Sequence, residues 1–167
     1  MRTARRKIWV IAIAPILALS LAAAMTAVQA QPDRRDDHRI IGSWDVTVFF
    51  TRPAGRAPVK ALYTFTGGGA VVMTADNDRR MIGPGHGVWT RTEEDQFGAT
   101  FVRLRFDPVT AAYIGTLKVR LALNLSEDGD VLSGPYDSDL FDKDGNLTGP
   151  AFAGTIEARR IKVEPVE

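Results

Sequence analysis

From residue 40 to residue 161 apolar side chains recur at every second position, the period of strands that bury one face. In the first run Trp44, Val46, Val48 and Phe50 share a face, with Asp45 and Thr47 opposite. A loop over 52–58 follows, and its two prolines exclude regular structure. Alternating runs then cover 59–66, 70–75, 86–92, 97–106, 113–125, 131–141 and 151–161, which makes eight strands in all. No stretch in this region carries a helical apolar period. The connections are short, so neighbouring strands must be antiparallel, because parallel crossovers need about a dozen residues or more. Gly67-Gly68-Gly69 and Gly83-Pro84-Gly85-His86-Gly87 read as places where a strongly bent sheet turns corners.

One hairpin can be registered from its chemistry. Asp128-Gly129 is a two-residue turn signal that sets Glu127 opposite Asp130, so paired residue numbers sum to 257. Lys118 then faces Asp139 and Arg120 faces Asp137. On the other face Leu117 meets Leu140, Val119 meets Ser138, Leu121 meets Tyr136 and Leu125 meets Leu132. Apolar residues are thereby sorted to one side and opposite charges to the other. The preceding strand repeats the pattern, with Val102, Leu104 and Phe106 inward and Arg103 and Arg105 outward. Arg103, Arg105, Lys118 and Arg120 thus read as a basic stripe on a solvated outer wall, whose functional use would be docking to anionic surface polymers or headgroups. One-sided strands must close over a core. The expected fold is all-β, an eight-stranded antiparallel up-and-down barrel, with a two-sheet β-sandwich as the alternative.

The first thirty residues follow another plan. Arg2, Arg5, Arg6 and Lys7 precede an uncharged run over 8–32, and Ala27-Val28-Gln29-Ala30 places small residues where a signal peptidase reads them. The expectation is a signal peptide cleaved after Ala30, a disordered polar leader over 31–39, a single barrel domain over 40–162 and a tail over 163–167. An uncleaved anchor is the alternative, opposed by the alanine richness, Pro15 and the cleavage site; Arg5-Arg6-Lys7-Ile8 loosely resembles a twin-arginine signal. A secreted or periplasmic protein follows, with no stable membrane insertion after cleavage. The whole chain carries 21 Lys+Arg against 20 Asp+Glu, and residues 1–30 hold four of the bases and none of the acids, so the remainder is slightly acidic. That balance argues against a nucleic-acid partner held by phosphate contacts. With no cysteine, disulfides, Cys-based zinc sites, iron–sulfur clusters, thiol catalysis and a lipid anchor on Cys are excluded.

Gly42-Ser43-Trp44, opening the first strand of a small secreted eight-stranded protein, resembles the calycins, the superfamily of lipocalins and fatty-acid-binding proteins. The resemblance implies that Trp44 plugs the closed end of the barrel and that a basic residue late in the last strand, Arg159 or Arg160, packs across it. The hairpin at Ser126-Glu127-Asp128-Gly129-Asp130 also looks like that of secreted bacterial calycin-like proteins, and it brings no catalytic residues. Allene-oxide-cyclase-type barrels share the general architecture, which keeps an isomerase in view.

The candidate interior is lined by Trp44, Val48, Phe50, Tyr63, Phe65, Leu121 and Tyr136, with Tyr63, Tyr136 and Ser138 as polar points. His86, the one histidine of the folded part, is a candidate ligand contact or proton donor. No second His or Cys stands near it, so no metal is expected, and its glycines lack the Lys-Ser/Thr pair of a phosphate loop. Asp137 and Asp139 read as an ion ladder with Arg120 and Lys118, and Asp142-Lys143-Asp144-Gly145-Asn146 as a hairpin turn rather than a calcium loop. No cofactor is implied. Three functions stand in order: a barrel binding a small apolar molecule, an isomerase or cyclase with a buried Tyr or His86 as proton donor, and a filled barrel acting through its surface as an interaction or inhibitor module. The ligand expected is uncharged, because Lys118 and Arg120 oppose the leucine row; Lys60 and Arg91 have no assigned face.

Overall fold

The computed structural model describes residues 36–76 and 81–166. The expected signal peptide and its expected cleavage after Ala30 lie outside them. Eight strands, β1 (Gly42–Arg52), β2 (Val59–Phe65), β3 (Ala70–Ala75), β4 (Ile82–Glu93), β5 (Gln96–Phe106), β6 (Tyr113–Leu125), β7 (Val131–Phe141) and β8 (Leu147–Arg160), each pair antiparallel with the next. β8 returns to pair with β1, and the sheet closes into a barrel in up-and-down order. The barrel and not the sandwich is the solution adopted, and closure leaves no unpaired sheet edge.

The β6–β7 register is the one the turn chemistry set: Lys118 faces Asp139, Arg120 faces Asp137, Leu121 faces Tyr136 and Leu125 faces Leu132. The turn itself differs. Gly129 N–H donates to Ser126 O at 2.9 Å, Ser126 N–H donates to Val131 O at 2.9 Å, and Gly129 alone takes a positive φ, 77°. The loop is therefore four residues long, closed by Ser126 and Val131. Their numbers also sum to 257, so the longer loop preserves the register. The Asp128 carboxylate holds it by accepting from the Ser126 hydroxyl and from Asp130 N–H, which also keeps that carboxyl below the usual range.

β5 is inverted relative to the expectation. Arg103 pairs with Leu117 on the interior face and is 6% exposed, whereas Leu104 is 50% exposed on the outer wall. The physical reason is parity. Phe97, Ala99 and Phe101 lie opposite Leu123, Leu121 and Val119, and burying that set carries the odd-numbered residues, Arg103 included, to the inside. The basic stripe is consequently broken. Lys118 and Arg120 stay outside, the former over the Phe141 ring at 4.9 Å, the latter 2.7 Å from Asp139 and 3.7 Å from Asp137.

β4 runs through the glycine-rich stretch from Ile82, and its register against β5 shifts there, between Ile82 and Gly85. A Cβ at Gly87 would stand 2.0 Å from the Thr100 carbonyl oxygen, so only glycine permits this approach of β4 to β5. The polar leader also ends earlier than expected: Asp36–Ile40 forms a short 3-10 helix, and Ile40 is fully buried. Ile40, Trp44, Phe65, Trp89, Phe97 and Leu132 form the core of this end of the barrel.

Candidate functional site

The two ends of the interior are built differently. At the end beneath the 3-10 helix, Trp44 is fully buried and its Nε1–H donates to Ile40 O at 3.0 Å. The Arg160 guanidinium lies 4.3 Å from the Trp44 ring centroid and donates to Gly129 O and Ile41 O, both at 2.8 Å, and to Arg39 O. Arg39 in turn reaches Asp95, Ser126 O and Glu127 O. Trp89 Nε1–H donates to Thr66 O at 3.0 Å, and its ring meets Phe65 and Phe97 edge-on. This end is a plug, and Arg160 is the residue that covers it.

The opposite end holds a cavity of ≈ 60 Å³, bounded by Phe50, Tyr63, Phe101, Arg103, Tyr136 and Phe152 among others. Alternation along β1, β2 and β5 puts Phe50, Tyr63 and Arg103 inside; the 52–58 loop folds Arg56 back over the Phe50 and Phe152 rings, 4.5 and 4.8 Å from their centroids. Arg103 Nε–H donates to Gly83 O at 2.9 Å. Burial lowers the Arg103 pKa to about 10, with Tyr63 pulling the other way, and burial pushes Tyr63 well above the ordinary phenol range. Tyr136 is pushed up to about 12 by burial, opposed by Arg56 and Arg52.

Two hydroxyls of β7 illustrate the contrast between structural and functional polarity. Ser138 Oγ donates to Phe152 O at 2.8 Å and accepts from Phe152 N–H at 2.9 Å, bridging the point where the β7–β8 pairing shifts between Asp137 and Asp139. Its polarity is spent on the backbone. Tyr136 Oη is buried and has no hydrogen-bond partner among the described residues. A buried hydroxyl without a partner costs stability and calls for an explanation.

Of the residues expected to line the interior, Val48, Phe50, Tyr63 and Tyr136 bound the cavity. Trp44 and Phe65 belong to the plug, and Leu121 is buried in the wall without bordering the cavity. His86 is exposed on the outer wall in register with Val72 and Val102, because its neighbour Gly85 takes the inward position; it does not border this cavity. Arg103 and Arg56 were not anticipated. The first was readable in the spacing of Phe97, Ala99 and Phe101, whereas an exposed loop residue such as Arg56 carries no periodic signal. Among the described residues no group of three or more His, Cys, Asp or Glu is placed to hold a metal.

Fold and site together define a closed eight-stranded antiparallel barrel with a plugged end and, opposite it, a small, partly polar cavity. Comparison with protein-family models, curated proteins and solved structures finds no match to this chain.

Proposed function

We propose that the protein is a secreted or periplasmic, calycin-like barrel that takes up a small, largely apolar molecule in the cavity opposite Trp44. The observation that carries this reading is Tyr136 Oη, a buried donor without a partner among the described residues, set among aromatic rings. Mostly apolar pockets gain orientation and specificity from such isolated polar groups. The wall is aromatic: Phe50 meets Tyr136 and Phe152 edge-on at 6.3 and 5.8 Å, and Tyr63 meets Phe101 at 5.8 Å. A binder is favoured over an isomerase because efficient acid–base catalysis wants a group titrating near the working pH, and burial drives both tyrosines away from it. The β6–β7 hairpin contributes no interior cation, whereas β5 places Arg103 at the border of the cavity.

The volume favours one second reading. A cavity of ≈ 60 Å³ is far below the roughly 300–1,000 Å³ of drug-sized sites, as suits a filled barrel acting through its surface. Native mass spectrometry of protein purified from its source separates the two. Uptake predicts a retained small mass, lost in Val119→Phe, which fills the cavity. A bare protein under gentle conditions, with every function retained in that variant, would favour the filled barrel.

A further inference from the structure

The outer wall of the barrel is built in two styles. Across β6, β7, β8 and β1 its outward positions are ionic: Lys118 stands opposite Asp139, Arg120 opposite Asp137, and Arg159 opposite Asp45. Across β2, β3, β4 and β5 they are not. One row reads Thr64, Val72, His86 and Val102 in register, and the next reads Ala70, Val88 and Thr100. Neither row holds a carboxylate, a lysine or an arginine. Leu62 is 53% exposed and Val88 66%, and Val72 and Leu104 are also open to solvent. The wall ends at β6, where Lys118 and Arg120 lean toward β7, onto the Phe141 ring and onto Asp139 and Asp137.

An antiparallel strand with one face in water alternates apolar and polar, whereas a strand covered on both faces is apolar on both. β3 and β5 are of the second kind. The barrel interior accounts for one face of each, where Val71, Met73, Ala99 and Phe101 are buried. The outward face has no such cover among the described residues. Because the barrel is closed, it offers no strand edge, so a partner has to lie face on. Four strands about 4.8 Å apart, followed for about 20 Å, present roughly 400 Å². Exposed apolar patches of that size are commonly functional. The neutrality of the wall decides the partner. Against its own copy, apolar side chains and hydroxyls meet their like and no ion loses its water. A nucleic acid or an anionic lipid surface finds no charge here to answer its own. Two copies related by a two-fold axis would cover about 800 Å² in all, which sets the pair at the weak, reversible end of interfaces.

We propose that the β2–β5 wall is a self-association surface on which two copies of this chain pair face to face, with His86 as its pH-sensitive centre. The imidazole is in register with Val72 on β3 and Val102 on β5, and Pro84 and Val88 flank it on β4. None of these is charged. The nearest charges of the outer wall stand at its margins: Lys118 and Arg120 on β6, Lys60 on β2, Asp45 beside Leu62 on β1, and Asp76 just past β3. Histidine changes its charge between about pH 5 and pH 8. Pairing strips water from His86 and brings its counterpart into the same contact, and both effects oppose the imidazolium. The pair is therefore favoured above neutrality and lost as pH falls toward 5. None of this depends on what the cavity holds.

The test is sedimentation velocity of the purified protein from about 10 µM to about 1 mM, the range of a weak pair, at about pH 7.5 and about pH 5. The wild type is expected to dimerise with concentration at the higher pH and to pair about tenfold or more weakly at the lower. Val88→Asp changes an exposed side chain, so it should fold, which a urea melt verifies, and it should weaken pairing about tenfold or more by setting carboxylates into the contact. Thr155→Asp, exposed on the β8 side of the barrel, should pair like the wild type. His86→Gln should pair equally at both pH values. A monomer at every concentration, the result expected if a different protein covers this wall, would overturn the inference, as would a dimer indifferent to Val88→Asp. A pH response that survives His86→Gln would overturn the role given to His86.

Discussion

The two ends of this barrel use the same residue types for opposite purposes. Each has an arginine stacked on an aromatic ring and a buried aromatic side chain with a polar tip. At the plug, Trp44 Nε1 and the Arg160 guanidinium each end on backbone carbonyls, and the 3-10 helix is tied down through Arg39. At the cavity end, Tyr136 Oη ends on no described residue, and Arg103 is held inside at the cost of a lowered pKa. Full satisfaction marks the end that holds the fold. Polarity left open marks the end where we propose that a ligand sits. The difference also says where mutations should be felt as lost stability and where as lost binding.

Four substitutions sharpen or break that division. The largest effect belongs to Trp44→Ala, which leaves a ring-sized void beneath Arg160 and should cost about 3–5 kcal/mol in a urea melt. An unchanged midpoint would mean the plug is not structural. Arg160→Ala removes the partner of three carbonyls and the cover of the Trp44 ring. A loss of about 1–3 kcal/mol is expected, less than for the tryptophan, because those carbonyls can partly rehydrate at the rim.

Tyr136→Phe, by contrast, should leave stability within about 1 kcal/mol of the wild type or raise it, since it removes a hydroxyl with no described partner. Its effect on pH dependence is specific. The Tyr136 pKa rises from 10.0 to about 12 on folding, so its contribution to stability is complete below pH 10 and is lost as pH rises through 12. Arg103, lowered to about 10, acts in the opposite sense over part of that window, but both proteins contain it. The difference between their urea midpoints from pH 9 to pH 12 therefore isolates the phenol, and the wild type should fall more steeply. The smallest effect belongs to the outer wall. Arg120 pairs with Asp139 and Asp137 in the open, and Arg120→Ala should cost only about 0.2–1 kcal/mol, and less at high salt.

Strand count, antiparallel order and the β6–β7 register were legible because each rests on local chemistry: alternation, short connections and a turn signal whose register survives a change of loop type. The plug was legible through Gly42-Ser43-Trp44, and the structure selects Arg160 over Arg159 as its cover; Arg159 pairs beside Asp45. The cavity was half legible. Phe50, Tyr63 and Tyr136 follow from alternation on β1, β2 and β7. Arg103 was placed on the wrong face because β5 offers apolar residues on both: Val102, Leu104 and Phe106 on one, Phe97, Ala99 and Phe101 on the other. Cross-strand pairing with Leu117, Val119 and Leu121 decides between them, and that is a tertiary fact. His86 failed for a related reason. Being the one histidine of the strands made it conspicuous in the sequence, whereas the inward position of Gly85 sets its direction.

The division into plug and cavity is tested most directly by mapping where a bound ligand is felt. With butan-1-ol added at saturating concentration, backbone amides of Val48, Phe50, Phe101, Arg103 and Tyr136 should move most in a ¹H–¹⁵N spectrum. The indole N–H signals of Trp44 and Trp89, bonded to Ile40 O and Thr66 O in the plug, should stay in place. Shifts centred on those indoles, or no shifts at all, would contradict the account.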